Sequence, residues 1–195
     1  MMKNILQVAS REEFRAWLEE NAERESGCWV YVSRGMSNDG YFPYLDAVEE
    51  ALCFGWIDSI HKLIDGKRMQ RFTPRKKYSH WTELNKERVR RLEKLGRMKE
   101  AGRAVLPPMG PRSFRIDPEI EKALKEARVW SKFRSFPPLY QRVRADNLSF
   151  CKKRDPEQYE KALRHLIVET KKGRMYGDWN DGGRLENDAD PANAE

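Results

Sequence analysis

The chain has no uninterrupted apolar stretch of membrane-spanning length. Its opening, "MMKNILQVASREEF", lacks the long apolar centre and small-residue cleavage site of a secretory signal, so a cytoplasmic location is expected. Cysteine is scarce: Cys28, Cys53 and Cys151 are widely separated, odd in number and form no C-x-x-C pair. A disulfide framework is therefore not expected, and reduced, mostly buried thiols are. Three histidines, His61, His80 and His165, share no zinc-ligand spacing with each other or with a cysteine, so no metal site is expected. There is no G-x-S-x-G, no P-loop, no G-x-G-x-x-G and no internal repeat. The nucleophile elbow and the two commonest nucleotide-binding signatures are thus missing, and no cofactor is indicated.

Charge is what the sequence has in abundance. Of 195 residues, 35% are charged and 39% are hydrophobic, the balance of a soluble protein with a modest core. A chain of this length buries enough apolar surface to fold without a covalent staple. The net charge of +7 is unevenly spread. Between Ile60 and Arg103 there are 15 Lys and Arg against 5 Asp and Glu, whereas Gly177–Glu195 has 6 acids and the single base Arg184. Such focusing favours anionic partners without naming one. The terminal stretch "GDWNDGGRLENDADPANAE" has almost no apolar residues after Leu185, which predicts a disordered acidic tail over 177–195.

Local signals divide the rest. Ser10 with Glu13 is a capping box opening a helix through "REEFRAWLEENA", with Phe14, Trp17 and Leu18 inward. "GCWVYVSR" reads as a strand, "SNDG" as a turn, and "PYLDAVEEALCF" as a helix. In that helix Leu45, Val48, Ala51 and Leu52 face the core and Asp46, Glu49 and Glu50 face outward. Gly55 suits the left-handed residue that closes it. "SIHKLIDGKRMQRFTP" is a β-hairpin about Asp65-Gly66, ended by Pro74. Ser79 is placed as the N-cap of "HWTELNKERVRRLEKLGRM". After the Pro/Gly break "LPPMGPRSF", Asp117-Pro118 and Asp155-Pro156 each open a helix, and "PLYQRVRADNLSF" supplies another. The predicted class is α+β: a small antiparallel sheet with packed helices over 1–106, a linker over 107–115 and a helical unit over 116–176.

"EEFRAWLEEN", "YLDAVEEALCFGWIDS", "RFTPRKKYSHWTELNKERVRRLEKLGRM" and "KALRHLIVETKKGRM" occur in this order across about residues 10–176. Together they resemble the YdeI/OmpD-associated, or bacteriocin-protection, family. Departures are the short "YVSRGMSNDG", the connection "VLPPMGPRSF", and Lys171 where an arginine is more familiar. The resemblance implies a link to outer-membrane porins and to tolerance of bacteriocins and cationic antimicrobial peptides. It implies no reaction and no catalytic residue.

The residues themselves point to the span from Ala51 to Asn85. Arg71, Arg75, Lys76 and Lys77 straddle Pro74 just before a helix start, where open backbone amides and guanidinium groups together suit phosphate or carboxylate. Ser79 either caps that helix or donates to the same anion. Asp58 is the one acid beside Gly55-Trp56; it either pairs with Lys62 or Arg71 or acts as a general base, and it is the sole catalytic candidate. Trp56, Phe72 and Trp81 either stack on a ligand ring or belong to the core, and Asn85 follows Trp81 by about one helical turn. Cys53 reads as a buried thiol. Lys86, Arg90, Lys94 and Arg97 form a helical stripe able to follow a phosphodiester backbone, unless the neighbouring Glu83, Glu87 and Glu93 neutralise it.

The leading expectation is a non-catalytic anion-binding protein using Trp56, Asp58, Lys62, Arg71, Arg75, Lys77, Ser79, Trp81 and Asn85. The rivals are an enzyme on a phosphorylated or nucleotide-like substrate, with Asp58 as base, and a nucleic-acid binder using stripe and hairpin. No membrane insertion is expected, and neither a protein partner nor an oligomeric state is indicated.

Overall fold

A computed structural model describes residues 4–33, 42–64, 66–76, 78–110 and 112–186. The class is α+β, as the sequence predicts. The chain forms two compact units, one of residues 1–80 with 89–107 and the other of 81–88 with 108–195. The main division between Pro107 and Pro108 falls in the Pro/Gly break.

In the first unit the strands are β1 (Ile5–Leu6), β2 (Cys28–Ser33), β3 (Phe42–Pro43), β4 (Trp56–Ile64) and β5 (Lys67–Pro74). They run in the order β1-β2-β5-β4, with β3 also on β2. β4 and β5 form the expected hairpin, and Gly66 at its turn has φ +73°. Asp65 and the "SNDG" turn lie outside the described residues. The sheet is mixed rather than purely antiparallel, because β1 and β3 each add two residues parallel to β2. So brief a pairing leaves no period-2 signature to read.

Helices α1 (Arg11–Asn21) and α2 (Tyr44–Cys53) cover one sheet face. Ser10 accepts from the Glu13 amide, and the Glu13 carboxylate accepts from the Ala9 amide, completing the capping box. The Phe14 ring lies 5.4 Å from Phe72, and Trp17 meets Trp56 edge-on at 5.9 Å. Beyond the sheet come α3 (Glu83–Lys94), whose residues from Val89 onward belong to this unit, and α4 (Glu100–Ala104). Gly102 of α4 sits against the Cys53 carbonyl so closely that any Cβ there would collide with it.

Glu49 and Glu50 correct the expectation of an outward acidic face. They are 1% and 0% exposed. Glu50 accepts from Arg11 (2.9 Å), Arg15 (2.8 Å) and Arg97 (2.7 Å), while Glu49 pairs with Arg11 (3.0 Å) and Arg91 (3.1 Å). Burial opposes the Arg11 charge, but Glu49, Glu50 and Asp46 outweigh it and hold its pKa above the ordinary value. Helix α2 is covered on nearly every side, so its carboxylates persist by pairing inside the protein, not by facing water.

The second unit contains α5 (Pro118–Glu126), α6 (Trp130–Arg134), α7 (Pro138–Arg154), α8 (Pro156–Lys171) and the first half of α3. Asp117 and Asp155 cap α5 and α8 as predicted, accepting from the amides of Glu119 and Gln158. Ile120, Leu124, Phe133, Tyr140 and Leu166 form its core. The segment 177–186 departs from the expected disorder: it winds through turns, with Trp179 against Tyr140 at 5.7 Å. Asp181 receives a two-pronged ion pair from Arg88, both contacts 2.7 Å. One aromatic and one buried pair hold a stretch whose mean composition is that of a disordered tail. Residues 187–195 lie outside the description.

Replacing Glu50 with Gln leaves three guanidinium groups around a neutral amide and is expected to cost about 3–5 kcal/mol in denaturant unfolding. Glu19→Gln, which removes the partner of Lys99 in a pair whose side chains are 45% and 44% exposed, serves as the contrast. Its expected cost is no more than about 1 kcal/mol.

Candidate functional site

The structure disperses the residues that sequence spacing groups. Trp56 is in the core, its indole N–H donating to the Ala22 carbonyl at 3.2 Å, and Phe72 is buried beside it. Asp58 accepts from the Tyr44 hydroxyl at 2.8 Å and shares a ladder rung with Phe72, hence points to the helix-covered face. Arg71 shares a rung with Trp29 and points to the opposite face, where the Lys62 ammonium lies 5.5 Å from the Trp29 ring. Arg75 is buried, with Nη1 directed at the Ser79 hydroxyl (3.5 Å) and the His80 carbonyl (3.2 Å). Burial pulls its pKa down to about 10, against the opposing pull of Asp58. Lys77 lies outside the described residues.

The helix start is closed as well. α3 begins at Glu83, and Ser79 is not its cap. Thr82 caps it instead, its hydroxyl accepting from the Asn85 amide at 3.1 Å. The Glu83 amide donates to Asp146 of α7 at 2.9 Å, so the anion at this terminus is one of the protein's own carboxylates. Asn85 accepts from Arg88 at 2.7 Å, and Trp81 is buried. Of the bases expected around Pro74, Lys62 and Arg71 thus share one sheet face and Arg75 is buried just past the end of β5, while the Glu83 amide that opens α3 already has a carboxylate partner. Two members of the expected helical stripe are engaged within the protein. Lys86 turns onto Glu83 at 2.7 Å, Arg97 onto Glu50 at 2.7 Å, and α3 has ended before Arg97.

A site that sequence reasoning passed over lies on α7 and α8. Arg144, Asn147, Leu148 and Cys151 from α7, and Gln158, Lys161, Ala162 and His165 from α8, line a groove of about 350 Å³. Each set follows the steps three, one, three, so each helix presents one continuous stripe. The chain reverses at Asp155, which puts Cys151 and Gln158 at the end near the turn. Arg144 and His165 stand at the other end, both against Tyr176: the guanidinium is 5.0 Å from its ring and the imidazole ring 4.4 Å, edge-on. Burial raises the Tyr176 pKa while Arg144 opposes the rise, so the phenol is a neutral donor at neutral pH. Lys161 lies between the ends and pairs with Glu157 at 2.6 Å.

None of the groove's lining side chains is acidic. Leu148 and Ala162 make an apolar floor beneath two cations, a histidine, a phenol and two amides. This set can neutralise, and donate several hydrogen bonds to, a phosphate or carboxylate. Cys151 and His165 are about two helical turns, ~10 Å, apart along the groove, so the imidazole does not serve the thiol as a base. Among the described residues no group of His, Cys, Asp and Glu could hold a metal ion. A second cleft, of about 490 Å³, has walls of Phe114, Ile116, Phe136 and Pro138. Its arginines are already engaged, Arg134 with Gln141 and Arg142 with Glu87, both at 2.7 Å.

The three thiols differ in setting. Burial pushes Cys28 and Cys53 up to about 12, whereas Cys151 is half-buried on the groove. Treatment of the native protein with a disulfide reagent at pH 8 is expected to modify Cys151 at least about tenfold faster than the other two, since thiolate is the reactive form. Equal rates in the native state, read by mass spectrometry, would contradict these placements.

A family model described as Domain of unknown function (DUF8412) matches residues 6–105, about half of the chain. That span covers most of the first unit and ends before the α7–α8 groove. No curated protein and no solved structure matches the chain. The chain belongs to the DUF8412 family.

Proposed function

We propose that this protein binds a small phosphate- or carboxylate-bearing ligand without transforming it, and that the α7–α8 groove is its receptor. One observation carries the reading: Arg144, Lys161 and His165 line a single concave surface with Tyr176 and two amides, and no acid lines it. The Arg144–His165–Tyr176 end supplies charge and donors for the anionic group, and the floor of Leu148 and Ala162 supports a less polar body. The resemblance to the YdeI/OmpD-associated family supports a contribution of binding to envelope-stress or peptide tolerance, an indirect role exerted from the cytoplasm. Separation of the thiol from the imidazole favours binding over turnover.

Cys151 is a built-in reporter. Phosphate, pyrophosphate, citrate and sugar phosphates, each compared with chloride at equal ionic strength, are expected to slow its modification by at least about threefold for a ligand that fits. The same ligand should raise the melting temperature, since saturation at a hundred times Kd contributes about 2.7 kcal/mol. Arg144→Gln and the more conservative surface change Lys161→Gln should each weaken both effects. If no anion protects Cys151 or shifts melting, the groove is not an anion receptor.

A further inference from the structure

We propose that the α7–α8 groove also takes small disulfides that carry carboxylates, and that these form a mixed disulfide with Cys151. The inference rests on the anion-receptor reading and names a reaction that closes that receptor. Cys151 is half-buried and shares the groove with two cations, whereas Cys28 and Cys53 are fully buried. Lys161 stands three residues, about 4.5 Å, along α8 from Gln158, its neighbour at the Cys151 end. The Lys161–Glu157 side chains are 58% and 78% exposed, so their pairing is weak and the ammonium can turn into the groove. Arg144 is seven residues, about 10 Å, from Cys151 along α7. Its neighbours are rings, Tyr140 at 5.7 Å and Tyr176 at 5.0 Å, and its Nε is buried without a hydrogen-bond partner among the described residues. A Cβ at Gly177 would come within 2.9 Å of its Nη1, so the chain at this end is shaped to the guanidinium.

This spacing selects the co-reactant. In water a thiolate and an anionic disulfide repel one another, which slows their encounter. In the groove a carboxylate meets Lys161 or Arg144 while a disulfide sulfur reaches Cys151. The span of about 10 Å is that of about three extended residues, so a thiol unit of tripeptide size or smaller bridges it. Asn147 and Gln158, exposed amides on the same lining, suit the peptide groups of such a unit. Cys151 gives its proton to solvent, and its sulfur bonds to one sulfur of the disulfide. The original S–S bond breaks, and the other half departs as a thiolate. The small disulfide is the oxidant, and one S–S bond replaces another. The half that stays keeps its carboxylates beside the bases and occupies the receptor until a reducing thiol reverses the exchange.

The full reduced chain is tested with oxidised glutathione, which is anionic, and with neutral bis(2-hydroxyethyl) disulfide, the modification of Cys151 being followed by mass spectrometry at pH 8. The ratio of the anionic to the neutral rate, divided by the same ratio for the chain unfolded in urea, is expected to be at least about tenfold at 0.01 M salt. It should fall severalfold at 1 M salt, as the screening length shrinks from about 30 Å to about 3 Å. Arg144→Gln and, separately, Lys161→Gln should each lower the ratio at least about threefold. The neutral reagent controls for access, so a variant that disturbs folding is recognised and the other decides. After modification the chain should lose the anion-dependent rise in melting temperature and regain it with dithiothreitol. A ratio no larger than that of the unfolded chain, a ratio indifferent to both variants, or a melting shift that survives modification overturns the proposal. If phosphate or another simple anion still slows the neutral reagent, the receptor stands and this inference alone has failed. If no anion does so, the receptor reading falls and takes this one with it.

Discussion

Two adjacent buried glutamates, paired with four arginines, set the directional constraint on which the first unit is built. Glu49 and Glu50 project from α2, and their partners come from α1 (Arg11, Arg15), from α3 (Arg91) and from the segment after α3 (Arg97). Hydrophobic packing is tolerant of small shifts and indifferent to direction. Guanidinium–carboxylate contacts near 2.8 Å are not, because a displaced partner leaves a charge in a medium that cannot solvate it. The helices around α2 are therefore fixed in rotation as well as in distance. Phe14, Trp17 and Trp56 fill the space that this arrangement leaves.

The same principle recurs in the second unit on a smaller scale. Arg88 holds Asp181, and Asp146 holds the first amide of α3. Much of the chain's charge is thus internal wiring. That is why its abundance in the sequence was a poor guide to where an anion binds. Other bases stay exposed, among them Lys62, Lys67 and Arg68 in the hairpin and Lys161 and Arg164 on α8.

What the sequence made legible follows from the range of each signal. Caps at Ser10, Asp117 and Asp155 and the existence of the β4–β5 hairpin depend on neighbours a few residues apart, and these were readable. Glu49 and Glu50 look solvent-facing by helical period, since period marks the apolar stripe but cannot tell water from a guanidinium 35 to 47 residues away in the chain. Ser79 looked like the α3 cap because it precedes a run of good helix formers; Thr82 is the better-placed hydroxyl, and Asp146, 63 residues distant, fixes the start. The groove was missed for a different reason. Its two stripes are visible singly, in the spacing of Arg144 to Cys151 and of Gln158 to His165, but only the reversal at Asp155 brings them together.

The division of α3 has a consequence for any attempt to work with part of this protein. Residues 81–88 fall inside the span shared with the DUF8412 family, yet Glu83 and Arg88 find their partners, Asp146 and Asp181, far beyond it. A fragment cut at the edge of the family match would keep the donors and discard the acceptors, stranding a guanidinium and a helix end that were never built to meet solvent. Evolutionary kinship and mechanical self-sufficiency draw different borders on this chain.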